Sequence, residues 1–151
     1  MKIVYCEEWS LFKKQPHKIL SEQDAKKKAA KEETYTAVLY EDDKVRYVIE
    51  VNKAFLTVRF YNDAFEYYLL YGFEKKDDRL FLNMAYHYAY LDGEEQETTL
   101  FNFKENGEMV AERRNYISGE VEEREGVVDV SCNWEPIPEF GDYHGVIRVE
   151  R

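Results

Sequence analysis

The twelve residues from Leu80 to Leu91, Leu-Phe-Leu-Asn-Met-Ala-Tyr-His-Tyr-Ala-Tyr-Leu, contain no proline, no glycine and no charged residue. They predict a central β-strand, because β-favouring residues are dense and a polar helix face is absent. Successive strand residues point to opposite sides of a sheet. We therefore predict that one face is buried and carries six large side chains: Leu80, Leu82, Met84, Tyr86, Tyr88 and Tyr90. The other face is leaner and includes His87.

Alternating apolar and polar residues on both sides of this stretch predict an antiparallel meander. Short polar connections separate nine strand candidates, and short connections between neighbours imply antiparallel pairing. The candidates are residues 35–40, 45–51, 55–61, 65–73, 80–91, 98–104, 109–117, 120–124 and 127–134. Asn106-Gly107 predicts a two-residue hairpin turn with positive φ at both positions. A last strand is predicted at residues 146–150.

The N-terminal region predicts one strand, one loop and the only helix. Lys2 to Cys6 is predicted as a strand, and Glu7 to Lys18 as a loop anchored by three apolar side chains: Trp9, Leu11 and Phe12. Ser21 is a good N-cap, and the helix formers of residues 25–33 follow it. Its apolar face is a thin alanine stripe, so the lysines of the helix are expected to face solvent.

These elements predict an α+β fold that is mostly antiparallel β. The nine-stranded meander would form a barrel or a strongly curved sheet, with the single N-terminal helix packed against it. The chain of 151 residues has the length of one ordinary domain and can bury an adequate core without help. We therefore predict a single domain over residues 1–151.

The net charge of −10 is unevenly distributed along the chain. Residues 1–31 hold eight lysines and four acidic residues, whereas residues 32–151 hold thirteen basic and twenty-seven acidic residues. An acidic body repels phosphate backbones and attracts basic proteins. The charge therefore argues against a nucleic-acid partner and favours a basic protein partner.

The two cysteines, Cys6 and Cys132, have no nearby partner in the sequence. Neither a zinc site nor a disulfide framework is supported by this spacing, so both are predicted to be free thiols. The N-terminus lacks the apolar core of a signal peptide, and no run approaches the ~20 apolar residues of a membrane span. These observations predict a cytoplasmic protein with no membrane partner.

No catalytic or cofactor-binding motif occurs in the sequence. Patterns for nucleotide binding, zinc proteases, serine hydrolases and calcium loops are all missing. We predict no enzymatic activity, no cofactor and no metal site. His87 could serve as a base in a barrel mouth, but a histidine bonded among tyrosines accounts for it better.

Two clusters of acidic residues are the predicted partner-binding site. The first flanks one turn and the second crowds one short strand and the residues after it; together they comprise Glu94, Glu95, Glu97, Glu120, Glu122, Glu123, Glu125 and Asp129. A strand this rich in charge either docks a basic partner or is an edge that its charges protect from pairing. Both interpretations stay open at this stage.

The tyrosine-rich strand leaves an alternative function open. Its side chains could line a cavity in a lipocalin-like or fatty-acid-binding-like carrier, because ligand pockets are mostly apolar with a few polar tips. The lining residues would be Tyr86, His87, Tyr88 and Tyr90. Core packing is the competing use of the same residues.

The chain resembles the immunity proteins of bacterial polymorphic-toxin and contact-dependent-inhibition systems. The resemblance lies in its small, acidic, aromatic-rich character without catalytic motifs, and in the segment Asn133-Trp134-Glu135-Pro136-Ile137-Pro138-Glu139-Phe140-Gly141-Asp142-Tyr143. The lysine-rich helix departs from a uniformly acidic surface. The resemblance implies that the protein neutralises a cognate toxin, often a basic nuclease, by covering its active site.

Overall fold

The computed structural model describes residues 1–151 as eleven strands and one helix. The strands are β1 (Lys2–Ser10), β2 (Gln15–Leu20), β3 (Tyr35–Glu41), β4 (Lys44–Val51), β5 (Phe55–Tyr61), β6 (Tyr67–Lys76), β7 (Arg79–Leu91), β8 (Glu94–Phe103), β9 (Glu108–Asn115), β10 (Val121–Val127) and β11 (Trp134–Pro136). Helix α1 (Glu22–Ala30) lies between β2 and β3, and a 3-10 turn (Ser131–Asn133) precedes β11.

Ten strands form one open antiparallel sheet in the order β10-β9-β8-β7-β6-β5-β4-β3-β1-β2. β11 pairs with the first residues of β7, Arg79 to Phe81, while β8 pairs with β7 from Met84 onward. Because β2 and β10 are free edges, the sheet is not closed into a barrel, which fits the predicted alternative of a curved sheet. The predicted fold class, mostly antiparallel β with one N-terminal helix, is confirmed.

Helix α1 begins where its capping residue predicts. The Ser21 hydroxyl accepts a hydrogen bond from the Asp24 backbone N–H at 3.0 Å, which satisfies one of the free donors at the helix start. Ala25 is fully buried, Ala29 packs against the core, and Lys26 and Lys27 face solvent. The helix therefore contacts the sheet through its alanine stripe, as the sequence predicts.

The main core lies on one face of the sheet, which we call the core face. Helix α1 and residues 137–151 cover this face, and its fully buried side chains include Ile49, Leu56, Phe60, Phe73, Leu80 and Val146. A smaller cluster lies on the opposite, outer face, where Trp9 donates a hydrogen bond to the Tyr61 hydroxyl at 3.0 Å. The outer face is thus closed by the β1–β2 hairpin at one end of the sheet.

A β-bulge in the pairing of β6 with β7 overturns the prediction that the even positions of β7 form one buried face. Phe73 pairs with Leu82, but Gly72 pairs with Met84, so Asn83 is the extra residue. An extra residue shifts the alternation by one and exchanges the two faces. Leu80 and Leu82 are therefore core, whereas the even residues from Met84 onward lie on the outer face and are half-buried.

The predicted loop at residues 7–18 is instead the β1–β2 hairpin. Pro16 is compatible with β2 because β2 is an edge strand, where a missing backbone donor is tolerated. Trp9 is buried as predicted, but Leu11 and Phe12 are exposed at the hairpin tip and anchor nothing within the chain.

Two further predicted strands are absent. Residues 127–134 leave the sheet after Val127, because the chain must return from the edge to β7; the Val128 N–H donates to the Gly107 carbonyl at 2.8 Å on the way. Residues 146–150 do not pair with any strand. Val146 is fully buried against the core face, so this segment packs across the sheet instead of extending it.

The C-terminal segment is held on the core face by a buried carboxylate. Glu135 forms ion pairs with Arg148 and, at 2.6 Å, with Arg151. The Arg151 guanidinium also lies 4.9 Å from the centre of the Phe73 ring. Both charges of the inner pair are buried, so each needs the other to offset its lost hydration.

The hairpin at Asn106-Gly107 is confirmed, but its turn type is not. Only Gly107 has a positive φ (+93°), and the Asn106 side chain accepts a hydrogen bond from the Glu108 N–H at 2.9 Å. Two-residue turns with two positive φ values occur instead at Asp42 (51°) and Asp43 (61°) and at Asp92 (52°) and Gly93 (80°). Aspartate tolerates this conformation because its side chain is short and polar.

Candidate protein-binding surface

The predicted acidic residues lie at the β10 end of the sheet, beyond the covered core. All seven residues of β10 are exposed, so this edge strand carries no core side chain. Residues 94–129 include eleven acidic and four basic residues, a net charge of −7. The acidic clusters therefore form one end of the molecule, opposite the end built from β1, β2 and the lysine-rich helix α1.

The register of β7 to β10 divides these residues between the two faces. Tyr86, Leu100, Glu112 and Glu123 stand opposite one another in one cross-strand row on the outer face. Neighbouring strands are about 4.8 Å apart, which places Tyr86 and Glu123 about 14 Å apart along this row. The parallel row on the core face contains His87, Thr99, Arg113 and Glu122.

The tyrosines of β7 form an aromatic patch on the outer face. The rings of Tyr86 and Tyr88 are stacked with their centres 4.6 Å apart, and Tyr67 meets Tyr88 edge-on at 4.9 Å. The Tyr90 hydroxyl donates to the Tyr67 carbonyl at 2.8 Å. Burial and the neighbouring Tyr67 raise the pKa of Tyr88 above its ordinary value, so its hydroxyl remains a neutral donor.

Carboxylates border this aromatic patch on two sides. Glu95 pairs with Tyr90 in the sheet register, and Glu112, Glu123 and Glu125 follow on β9 and β10. We call the combined area the tyrosine–glutamate surface; it comprises Tyr86, Tyr88, Tyr90, Glu95, Glu112, Glu123 and Glu125. The bulge creates it, because without the exchange of faces these tyrosines would point into the core.

Of the eight predicted acidic residues, Glu97 is the one that forms an ion pair within the chain, with Arg113. Arg113 donates two hydrogen bonds to its carboxylate, at 2.7 and 2.9 Å, on the core face. Glu97 raises the pKa of the Arg113 guanidinium through this contact. Glu123 and Glu125 have no basic side chain within ion-pair distance, so their charges face solvent uncompensated.

Three of the predicted acidic residues lie outside the two cross-strand rows described above. Glu94 lies at the exposed start of β8, and Glu120 precedes β10. Asp129 follows β10, and its carboxylate accepts a hydrogen bond from the Ser131 N–H at 2.9 Å, which lowers its pKa. Asp129 thus shapes the turn that leads the chain back to β7.

An open groove of about 530 Å³ lies where β8, β9 and β10 meet the Asn106-Gly107 turn. On the outer face its lining comes from Val110, Val127, Glu108 and Glu125, whereas Phe103 and Met109 belong to the core face. Lys104 also lines the groove and forms an ion pair with Glu108 at 3.2 Å, so Glu125 is its unpaired carboxylate. We call it the acidic groove. It adjoins the tyrosine–glutamate surface through Val110 and Glu125, which belong to the outer face.

The structure does not bring the residues of the carrier alternative together. His87 pairs with Leu69 and Thr99 on the core face, where its ring meets Phe101 edge-on, whereas Tyr86 and Tyr88 lie on the outer face. These four side chains therefore do not line a common cavity. His87 is exposed and lies beside Leu69 and Phe101, not among tyrosines. Partial desolvation by these neighbours lowers its pKa below the ordinary value.

Several residues of these surfaces have no distinct signal in the sequence. Glu112 lies in a predicted strand without a neighbouring acidic cluster, and Met109 and Phe103 look like ordinary strand residues. Their grouping depends on register, which single-strand periodicity does not reveal. The sequence offered one signal for this grouping: the Asn106-Gly107 turn predicts that residues 98–104 pair with residues 109–117.

No protein-family profile matches this chain, and no curated protein or solved structure is significantly similar to it. No helix of the structure has the length and apolar character that crossing a bilayer requires. No group of three or more histidine, cysteine, aspartate or glutamate side chains is placed to hold a metal ion.

Proposed function

We propose that this protein is a non-enzymatic binding protein that docks a basic protein partner on the tyrosine–glutamate surface. The observation that carries the proposal is the coincidence on one face of a half-buried aromatic patch and three carboxylates without an ion-pair partner, Glu95, Glu123 and Glu125. The fourth carboxylate, Glu112, pairs with Arg114 at 3.2 Å. Tyrosine is enriched at the energetic centres of protein interfaces, where its ring supplies area and its hydroxyl a hydrogen bond. Glu95, Glu112, Glu123 and Glu125 would form the charged rim.

The charge of the surface defines the partner. Residues 94–129 carry a net charge of −7, which attracts a basic protein and accelerates its association. The effect reaches over a Debye length of about 10 Å at 0.1 M salt. The most concrete such function is that of a cytoplasmic immunity protein. Its partner would be a cognate toxin with a basic active site, as in a nuclease.

An alternative explanation is that the carboxylates of β10 only protect an exposed sheet edge from pairing with another chain. This explanation predicts a different set of surface residues. Edge protection needs charges along β10 but needs no aromatic patch on the adjoining strands. Tyr86 and Tyr88 are not part of the main core, yet they keep two stacked, half-buried rings on the same face as the carboxylates. Partner binding accounts for both features, and edge protection accounts for one.

The test begins with capture of the partner from the source organism on the immobilised protein. Association and dissociation rates are then measured for Glu123→Gln and for the matched control Glu122→Gln. These neighbours are both exposed on β10 and change the net charge equally, but Glu122 faces the core side. Both variants should slow association at low salt, and only Glu123→Gln should also accelerate dissociation.

A second variant tests the aromatic part of the surface. Tyr86→Ala should raise the dissociation rate constant about 30-fold or more if this ring is an interface hot spot. Equal dissociation rates for Glu122→Gln and Glu123→Gln, together with an unchanged rate for Tyr86→Ala, would refute the proposed surface. Immunity itself is tested by co-expression: the wild-type chain should restore growth to cells that produce the captured partner.

A further inference from the structure

The tip of the β1–β2 hairpin exposes the most accessible large apolar side chain of the protein. Phe12 is 96% exposed and its neighbour Leu11 is 47% exposed. Lys13 and Lys14 follow directly, so the tip combines a protruding aromatic ring with positive charge. The tip thus offers a large apolar ring and a neighbouring ammonium group to a surface that is both apolar and acidic.

This tip is held in place and is not a loose loop. Trp9, at the base of the hairpin, is buried and bonded to Tyr61. The Lys14 ammonium donates to the Phe65 carbonyl at 2.8 Å and lies 5.2 Å from the centre of the Phe65 ring. The Lys13 N–H donates to the Ser10 hydroxyl oxygen at 3.1 Å. A pre-ordered tip loses less conformational entropy when it binds.

The acidic groove at the other end of the sheet has the complementary chemistry. Its volume of about 530 Å³ is large enough for an aromatic side chain and its neighbours, and Val110 and Val127 supply an apolar lining on the outer face. Glu125 has no ion-pair partner within the chain and stands at the groove. Lys13 likewise has no carboxylate partner.

We propose that the hairpin tip of one copy inserts into the acidic groove of a second copy. The tip and the groove lie at opposite ends of an open sheet, and the exposure of Phe12 shows that the tip does not occupy its own groove. In the proposed contact, Phe12 packs on Val110 and Val127, which share the outer face with Glu125, while Lys13 pairs with Glu125. The inference does not depend on the proposed function.

This contact is head-to-tail, because two different patches meet. Each copy in such a contact retains one free tip and one free groove, so association continues along a chain unless the geometry closes a ring. One hairpin tip buries much less area than a standard stable interface, so the association is weak and depends on concentration. Glu125 also belongs to the tyrosine–glutamate surface, so self-association would compete with a basic partner there.

Analytical ultracentrifugation of the purified protein at low salt tests the proposal. The weight-average mass should rise above the monomer mass of 18.1 kDa as concentration increases. Phe12→Ser should weaken association about tenfold or more, as loss of an aromatic anchor does. The control Phe55→Ser removes another exposed phenylalanine, from β5, and should leave association unchanged.

A charge exchange identifies the two patches that meet. Lys13→Glu and Glu125→Lys should each reduce self-association, because like charges then face each other. An equimolar mixture of the two variants should restore it, because each tip then meets a groove of opposite charge. A wild-type mass of 18.1 kDa at every concentration, equal losses for Phe12→Ser and Phe55→Ser, or a mixture that stays monomeric would each overturn the proposal.

Discussion

The exchange of faces at the β7 bulge predicts that Leu82 and Tyr88 contribute very differently to stability. Leu82 is 4% exposed in the main core and pairs with the fully buried Phe73. Leu82→Ala removes most of a buried side chain and leaves a cavity, which costs about 3 kcal/mol within the usual range for such changes. It should lower the denaturant midpoint without changing the slope of the transition.

Tyr88→Ala has a smaller expected effect, because Tyr88 lies half-buried on the outer face. The substitution removes two ring contacts, with Tyr86 at 4.6 Å and Tyr67 at 4.9 Å. Aromatic pairs contribute about 0.5 to 1.5 kcal/mol each, so the two lost contacts together cost about 1 to 3 kcal/mol. Without the bulge, both residues would lie in the core and Tyr88→Ala would be the more damaging change.

Guanidinium chloride unfolding followed by circular dichroism distinguishes these cases. Ile117→Ala is the control, because Ile117 is 76% exposed and its truncation should change stability by less than about 0.5 kcal/mol. The reasoning is refuted if Tyr88→Ala destabilises the fold as much as Leu82→Ala, since that result would return the even positions of β7 to one buried face.

Two further predictions concern titratable side chains. Partial desolvation lowers the pKa of His87 below 6.5, so the unfolded chain binds its proton first and stability should fall as pH decreases through the region just below 6.5. His87→Gln should flatten this part of the stability profile, and an NMR titration midpoint above 6.5 would contradict the assignment. Cys132 is exposed, whereas Cys6 is fully buried with its thiol pKa raised to about 11, so a thiol reagent should modify one cysteine in the folded protein and two after unfolding. Rapid modification of both thiols in the folded protein would show that β1 opens readily.

The secondary structure was predictable wherever the signal was local. Ser21 marks the helix start because its hydroxyl satisfies a backbone donor only a few residues away. The strands from β3 to β9 follow from alternation and from polar connections between them. The β1–β2 hairpin was missed because Pro16 argues against a central strand, and its tolerance depends on β2 being an edge, which is a property of the assembled sheet.

For the candidate site, the sequence by itself determined the chemistry: an acidic end, a tyrosine-rich strand and the absence of catalytic motifs. The tertiary structure decided which of these residues share a face. One extra residue at Asn83 turns Tyr86 and Tyr88 away from the core and onto the face that carries Glu112 and Glu123. Alternation within a strand is a local property, but a bulge is defined only by the partner strand. Residue types therefore followed from the chain alone, and their grouping required the register between strands.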